Sequence, residues 1–275
     1  MIIVLILLVG LIIGSFLNVC IVRLPLGQSI VTPPSQCPRC GKPIKFYDNI
    51  PVISYFLLRG KCRTCDLPIS WRYPLVELLN ALVYLWVFHE LGLNGEAILI
   101  MALCSSLIVI TFIDLDYQII PDSITLPGMV LGLVVAPFFM SALAGPPPFY
   151  LDRLMPHDWP HLERVINSFI GLVCGAAPLL ILGWIWEKLR HVEAMGGGDV
   201  KLMGMFGSFL GWKSALLIIM LGAIAGSVVG VALILLRKHE AEHVIPFGPF
   251  LAAGAAVTML YGSDILSWYL GLLRI

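Results

Sequence analysis

The chain has 275 residues, 59% of them hydrophobic and only 12% charged, and its 17 basic and 17 acidic residues leave no net charge. One soluble core of this length cannot bury so much apolar surface, which excludes a soluble globular protein. We therefore predict an all-α polytopic integral membrane protein that has the lipid bilayer as a partner and no nucleic-acid partner.

The apolar stretches predict about eight transmembrane helices. Seven of them approach the roughly 20 helical residues that cross a hydrocarbon core, near 2–22, 74–91, 96–113, 123–143, 165–186, 213–236 and 247–271. A shorter stretch at 200–211 predicts an eighth, incomplete span. The first stretch lacks a basic segment before it and a small-residue cleavage site, so we expect a retained helix. The segment 144–164 is rich in Pro and predicts an outward-facing loop.

The polar segment 23–73 after the first helix carries eight of the 17 Lys and Arg residues. Because cytoplasmic loops are enriched in these residues, we expect it to face the cytosol, together with the loops 114–122, 187–199 and 237–246. Attraction of this basic segment to anionic headgroups or to a polar part of a substrate is an alternative interpretation.

Two C-x-x-C pairs lie in this segment, Cys37 with Cys40 and Cys62 with Cys65. Each pair lets two thiolates converge on one ion from a tight turn, and 21 residues separate the pairs, close to the usual range for a four-thiolate zinc site. Disulfides are the alternative, but a cytosolic location keeps thiols reduced. We therefore predict a structural Zn²⁺ held by the four cysteines.

Three acids lie where a predicted membrane helix reaches its cytosolic boundary: Asp114, Asp116 and Asp122. Ionisable groups near the hydrocarbon are costly and usually functional. Residues two apart on a helix point roughly 200° from each other, so Asp114 and Asp116 cannot both face one partner. Asp122 follows a proline and is predicted to cap the next helix. Either Asp114 or Asp116 is thus the catalytic candidate.

A fourth acid, Asp199, follows the three glycines Gly196 to Gly198 at the predicted cytosolic start of another helix. Glycines permit a positive φ and a close approach of the backbone to a substrate. Two carboxylates from different helices suit an aspartic protease, in which one takes a proton from water and the other polarises the scissile carbonyl. The alternative is that Asp199 only caps its helix.

A competing motif is His239-Glu240-Ala241-Glu242-His243, which matches the H-E-x-x-H pattern of zinc metalloproteases. It lies in a short polar loop, and Pro246 ends any helix just beyond it. We interpret it as a solvated loop and keep a membrane zinc metalloprotease as an alternative. A non-enzymatic transporter with buried acids is a second alternative, although transporters tend to place such acids near the bilayer midplane.

Over most of its length the chain resembles the bacterial type IV prepilin peptidases, membrane aspartic proteases with a G-x-G-D motif. The N-terminal part of the resemblance comprises Gly14-Ser-Phe-Leu-Asn-Val19, Arg23-Leu-Pro25, the paired C-x-x-C insert and Tyr73-Pro-Leu-Val-Glu77-Leu. The C-terminal part comprises Asp114 with Ile-Pro-Asp122, Gly196-Gly-Gly-Asp199-Val-Lys201-Leu and Pro246-Phe-Gly-Pro-Phe250.

The resemblance implies that Asp114 and Asp199 are the catalytic pair. It implies cleavage of prepilins or pseudopilins with basic leader peptides, in a type IV pilus or type II secretion system, after a glycine on the cytosolic side of the bacterial inner membrane. It also implies N-methylation of the new terminal residue, usually phenylalanine, with S-adenosylmethionine as methyl donor. The chain has no Rossmann-type glycine fingerprint. The expected division is a first transmembrane helix at 1–22, a cytosolic zinc-knuckle domain at 23–73 and a transmembrane protease domain at 74–275.

Overall fold

Helices account for nearly all of the regular secondary structure in the computed structural model, which describes residues 1–37, 39–139, 160–190, 196–236 and 246–272. In chain order the α-helices are α1 (Ile2–Arg23), α2 (Ile53–Leu57), α3 (Arg72–Leu91), α4 (Gly95–Tyr117), α5 (Asp122–Val134), α6 (Ala136–Phe139), α7 (Pro160–Arg190), α8 (Gly197–Leu235) and α9 (Gly248–Leu272). Within the described residues, β pairing is limited to two isolated bridges in the polar insert. The predicted all-α class is confirmed.

Six helices of the described chain contain a segment long and apolar enough to cross a membrane. These segments are Ile2–Leu26, Arg72–Leu91, Gly95–Tyr117, Leu162–Leu189, Gly197–Leu235 and Gly248–Tyr269. The helix α5 is apolar but shorter. The prediction of a multi-pass membrane protein is confirmed, whereas the predicted number of about eight spans is not.

The region predicted as the span 123–143 is interrupted in the structure. Helix α5 ends at Val134, and α6 covers Ala136–Phe139, where the described segment ends. Pro137 explains the interruption, because a proline lacks the N–H that would bond the carbonyl four residues earlier, and its ring clashes with that carbonyl. Residues 140–159 lie outside the described part of the chain.

The predicted outward loop 144–164 is too long at its C-terminal end, because residues 160–164 already belong to α7. The rest of the predicted loop lies outside the described residues.

The two apolar stretches predicted at 200–211 and 213–236 form one helical element with a break between them. Within α8, Gly211 has φ 77° and ψ 174°, which separates a helix over 197–210 from a second one over 212–235. A positive φ of this kind is strained for any residue with a Cβ. The glycine thus allows the chain to change direction where the sequence predicted a boundary.

The first compact unit, Met1–Ile113, contains a close crossing of α1 and α3. A Cβ added to Gly10 would lie 2.6 Å from Ala81 Cα, and one added to Gly14 would lie 2.6 Å from Glu77 Cα. Small residues four positions apart let two membrane helices bring their backbones together in this way. The polar insert therefore connects two helices that pack directly on each other.

The second compact unit, Asp114–Ile275, is built around the first segment of α8. Gly171 and Gly207 meet where α7 crosses this segment, and Gly175 packs on the carbonyl of Met203. Every residue from Leu202 to Gly211 is buried. Since Asp199 lies in the first turn of this enclosed helix, the packing around α8 also fixes the position of its carboxylate.

Candidate active site and metal centre

Asp114 lies in the last turn of α4 and is only 5% exposed. Its Oδ2 accepts a hydrogen bond of 2.9 Å from the backbone N–H of Gly248, at the start of α9. Asp116, two residues further along the same helix, is exposed. The structure therefore separates the two acids that the residues alone left open, with Asp114 inside the protein and Asp116 on its surface.

Asp199 is the third residue of α8 and is 9% exposed. The N-cap of the helix is Gly196, and no side chain makes a capping hydrogen bond. Among the described residues, Asp199 Oδ1 is buried without a hydrogen-bond partner. Buried carboxylate oxygens are rarely left in this state unless they serve a purpose. The alternative that Asp199 only caps the helix is therefore not what the structure contains.

The side chain of Ile120 lies against the start of α8, which carries Asp199, and against the start of α9, which binds Asp114. A Cβ added to Gly198 would lie 2.8 Å from Ile120 Cβ, and one added to Gly248 would lie 3.4 Å from Ile120 Cδ1. Ile120 thus touches the residue before Asp199 and the residue that binds Asp114. Two buried acids arranged in this way can divide the roles of general base and general acid.

The acids lie at the ends of their helices, in the last turn of α4 and the first turn of α8. Secondary transporters typically bind their ions near the bilayer midplane, where discontinuous helices meet. The position of Asp114 and Asp199 therefore favours a site that is reached from one face of the membrane. It does not favour the transporter alternative.

Asp122 does not cap the next helix, contrary to the prediction. The N-cap of α5 is Pro121, and Asp122 is the first helical residue. Its Oδ1 and Oδ2 accept hydrogen bonds of 2.7 and 2.8 Å from Nζ of Lys201, in the first segment of α8. The carboxylate therefore forms an ion pair that joins α5 to α8.

Gly248 and Ile120 are members of the site to which sequence reasoning gave no role. The stretch Pro246-Phe-Gly-Pro-Phe250 was recognised as part of the family resemblance, but nothing in its composition indicates that a backbone N–H binds Asp114. Ile120 is one apolar residue among many. The usable signal was the pair of prolines around Gly248, which mark a turn at the start of a helix.

The four predicted metal ligands come together in the insert. The Sγ atoms of Cys37, Cys40, Cys62 and Cys65 all lie within 4.8 Å of one another, and all four thiols are free. Four thiols at this spacing suit a tetrahedral Zn²⁺ with Zn–S distances of about 2.3 Å. The side chains present therefore fit the predicted ion.

The two halves of the cysteine cluster have the same backbone turn. In the first, the N–H of Cys37 bonds the carbonyl of Lys42 at 3.0 Å. In the second, the N–H of Cys62 bonds the carbonyl of Leu67 at 2.8 Å. The backbone N–H groups of Cys40 and then Arg39 lower the pKa of the Cys37 thiol to about 6. A thiol that ionises readily is suited to bind a metal, because the thiolate is the ligand.

The competing H-E-x-x-H motif lies outside the described residues. Residues 237–245 contain all of it, and the description resumes only at Pro246. Its conformation therefore contributes nothing to the choice between an aspartic protease and a metalloprotease. That choice depends on the buried acids and on the comparisons with known proteins.

Two family models match the chain. One is described as the bacterial peptidase A24 N-terminal domain and covers residues 8–91, and the other as the type IV leader peptidase family and covers residues 101–231. A prepilin leader peptidase/N-methyltransferase of Aeromonas hydrophila is 36% identical over 97% of this chain and 93% of that protein. The protein of the same name in Pseudomonas aeruginosa is 35% identical over 96% of this chain and 91% of that protein. No solved structure matches the chain significantly.

Proposed function

Since this chain belongs to the type IV leader peptidase family, we propose that it is a prepilin leader peptidase that cleaves its substrate with Asp114 and Asp199. The observation that supports the assignment of residues is a pair of buried carboxylates from α4 and α8, of which Asp114 accepts a hydrogen bond from Gly248 and Asp199 has a buried oxygen without a partner. The proposed substrates are prepilins or pseudopilins with a basic leader peptide, cut after a glycine.

The proposed mechanism divides the work between the two acids. One carboxylate takes a proton from the attacking water, while the other, protonated, donates a hydrogen bond to the scissile carbonyl oxygen. Gly248 keeps the side chain of Asp114 in one orientation by its 2.9 Å hydrogen bond. When the tetrahedral intermediate collapses, the leaving amine receives a proton from the acid that removed it from water.

We further propose that the chain N-methylates the new terminal residue, with S-adenosylmethionine as methyl donor. The support is the double name of the relatives, prepilin leader peptidase/N-methyltransferase. S-adenosylmethionine would supply an electrophilic methyl group to the free amine that peptide cleavage produces. The two activities then act in sequence on one substrate end.

We propose that the catalytic end of the protein faces the cytosol in the bacterial inner membrane. The insert 23–73 carries eight of the 17 Lys and Arg residues, and further basic residues, Lys188, Arg190 and Lys201, flank the loop that leads to Asp199. Enrichment of Lys and Arg marks the cytosolic side of a membrane protein. A Zn²⁺ held by the four cysteines would stabilise this insert, which has few buried apolar residues of its own.

The test is incubation of the purified protein with a synthetic prepilin segment, followed by mass analysis of the products. We expect cleavage after the glycine by the wild type and none by Asp114→Asn or Asp199→Asn, because an amide cannot exchange the catalytic proton. Asp116→Asn is the matched control, since this acid is exposed on the same helix, and it should retain most of the activity. Full activity in a correctly inserted Asp114 or Asp199 variant would exclude the assigned pair.

A further inference from the structure

The short helix α2 of the polar insert exposes apolar side chains on one side. Ile53, Phe56 and Leu57 are 54%, 70% and 74% exposed. Their spacing of three and four residues places them next to one another on the helix surface, and we call these three side chains the apolar face of α2. A cluster of large apolar groups on a polar segment marks a contact site. The apolar face therefore needs an apolar partner.

Hydrogen bonds on another side of α2 fix its orientation within the insert. Ser54 is buried, and its Oγ donates a hydrogen bond of 3.1 Å to the carbonyl oxygen of Tyr47. The same Oγ accepts a hydrogen bond of 3.0 Å from the backbone N–H of Ile50. These two bonds hold α2 on the preceding turn and prevent it from rotating its apolar face towards the insert.

Glu77 of α3 holds the start of α2 against the membrane helices. Its buried side chain accepts a 2.7 Å hydrogen bond at Oε2 from the backbone N–H of Val52, the N-cap residue of α2. Val52 has φ 62° and ψ −51°, which is a strained conformation for a β-branched residue. Such strain persists only where the surrounding structure imposes it. The bond to Glu77 therefore fixes the point at which α2 begins.

The position of Glu77 places the start of α2 at the edge of the bilayer. The membrane span of α3 begins at Arg72, so Glu77 lies about 8 Å further along the helix axis. Helical side chains lean towards the N-terminus of their helix, which brings the carboxylate and Val52 back towards the end of the span. Trp71, the N-cap residue of α3, is exposed, and Trp is enriched at the membrane–water interface. The apolar face thus starts at the level of the headgroups.

Basic residues follow the apolar face directly in the chain. Arg59 and Lys61 are exposed, and the segment 23–73 carries eight Lys and Arg residues but only two acids, Asp48 and Asp66. Apolar side chains next to basic ones are typical of helices that lie in the membrane interface, where Lys and Arg contact anionic headgroups. This charge, together with the position of α2, favours a lipid surface over a protein as the partner.

We propose that α2 is an interfacial helix whose apolar face inserts among the anionic headgroups of the bilayer, and that Glu77 is the positioning residue that holds it there. The contact does not depend on the proposed peptidase activity. It orients the metal-binding part of the insert, because the N–H of Gly60 bonds the carbonyl of Tyr55 at 2.9 Å and the N–H of Ile69 bonds the carbonyl of Gly60 at 2.7 Å. The turn that contains Cys62 and Cys65 therefore follows the orientation of α2.

The test places the photoreactive residue benzoylphenylalanine at position 56 of the full-length protein, in vesicles of phosphatidylethanolamine and phosphatidylglycerol. After irradiation, mass analysis identifies what is attached. We expect phospholipid adducts in a yield comparable to that of the same probe at Phe16, an exposed residue of the membrane helix α1. Cross-links only to another segment of the chain or to a second copy of it would overturn the proposal.

The matched control within the insert is the same probe at Thr64, an exposed polar position between Cys62 and Cys65. It should give few phospholipid adducts. If the yields at positions 56 and 64 are equal, the apolar face of α2 has no special contact with the bilayer and the proposal is wrong.

The adducts also report which headgroup is bound. We expect phosphatidylglycerol to be enriched about twofold to fivefold at position 56 over its share in the vesicles, because each Lys or Arg near the surface attracts anionic lipids. At position 16 the adducts should match the vesicle composition. The same composition at both positions would overturn the recognition of anionic headgroups.

The positioning role of Glu77 is tested with the probe at position 56 in two further variants. Glu77→Gln keeps an acceptor oxygen for the N–H of Val52, whereas Glu77→Leu has none. We expect phospholipid adducts to fall about fivefold or more in Glu77→Leu, as expected for the loss of a hydrogen bond to a carboxylate, and to stay within about twofold of wild type in Glu77→Gln. Unchanged adducts in Glu77→Leu would overturn the role of Glu77. The comparison of positions 56, 16 and 64 does not depend on the folding of this variant.

Discussion

The backbone N–H of Gly248 donates a 2.9 Å hydrogen bond to Oδ2 of Asp114, although the two residues are 134 positions apart in the chain. The bond brings the start of α9 to the end of α4. A buried carboxylate needs hydrogen-bond donors for its oxygens. The donor here is a backbone N–H, so it does not depend on the side chain at position 248. The position of α9 therefore decides how Asp114 is oriented.

The first prediction concerns this contact. In Gly248→Ala, the new Cβ would lie 2.6 Å from Asp114 Oδ2 and 3.4 Å from Ile120 Cδ1, so the carboxylate must move. We expect kcat/KM for a prepilin segment to fall by about tenfold to a hundredfold, because a displacement of about 1 Å in a catalytic group has this effect. The measurement is peptide cleavage with the variant in membranes or detergent.

Gly271→Ala is the control for the effect of adding a methyl group to a helical glycine. An added Cβ there meets nothing within 4 Å, so activity should be unchanged. If Gly248→Ala cleaves at the wild-type rate while correctly inserted, Gly248 does not hold Asp114 during catalysis.

The second prediction concerns the ion pair between Lys201 and Asp122. Nζ of Lys201 lies 2.7 Å from Asp122 Oδ1, and both side chains are substantially exposed, at 40% and 54%. Exposed pairs contribute about 0 to 1 kcal/mol to stability. We expect Asp122→Asn to change the unfolding midpoint only slightly and to leave cleavage within about threefold of wild type.

A complete loss of activity in a folded Asp122→Asn variant would give this acid a direct role in catalysis. The double variant Asp122→Asn with Lys201→Met separates the two cases. If the pair acts only by joining α5 to α8, the double variant should be no worse than the single ones, because their effects come from the same interaction.

The sequence predicted the features of the site that depend on local spacing. The cysteine cluster forms from two similar short turns, so the sequence could predict from the C-x-x-C pairs that the four thiols come together. The choice between Asp114 and Asp116 could not be made from the pattern, which shows only that they point in different directions. Asp114 is buried where it contacts Gly248 of a distant helix. A local sequence pattern cannot predict a contact between residues so far apart in the chain.

Some helix boundaries could also be predicted from the sequence, and others could not. The break at Gly211 lies at the boundary between the two predicted apolar stretches, 200–211 and 213–236. The helical state of residues 160–164 could not be predicted, because a proline is compatible both with a loop and with the first turn of a helix. The ion pair of Asp122 could not be predicted, because its partner Lys201 lies 79 positions away in the sequence.

The third prediction concerns the metal. Purified protein should hold about one Zn²⁺ per chain, and replacing Cys37 and Cys40 with Ser should remove it. Cys174→Ser, in α7 and outside the cysteine cluster, is the matched control and should keep the metal. Elemental analysis of carefully reduced wild type that finds no metal would refute the zinc site.

The pH dependence of zinc retention follows from the Cys37 thiol. Backbone N–H groups of Cys40 and Arg39 lower its pKa to about 6. The Cys37 thiolate, and the metal binding that it supports, is therefore fully present above the pKa of an unfolded cysteine and is lost as pH falls through about 6. Metal binding requires thiolates. We therefore expect zinc to be retained at pH 7 and released on acidification below about pH 6, which a colorimetric chelator would measure.

Zinc removal should affect stability more than chemistry. The four cysteines belong to the compact unit Met1–Ile113, whereas Asp114 and Asp199 belong to Asp114–Ile275. We expect the Cys37 and Cys40 double variant to unfold more readily or to be cleaved faster by an added protease, yet to retain measurable peptide cleavage while it remains folded. Complete loss of cleavage in a folded, zinc-free variant would assign the insert a direct part in the reaction.

The last prediction separates the two kinds of protease. Replacing His239, Glu240 and His243 with Ala removes the H-E-x-x-H pattern. If Asp114 and Asp199 carry out catalysis, the triple variant should cleave a prepilin segment at close to the wild-type rate. If the motif held a catalytic zinc, Glu240→Ala alone would remove the general base that activates metal-bound water. Asp199→Asn serves as the inactive reference, and a correctly inserted triple variant that is equally inactive would establish a metalloprotease instead.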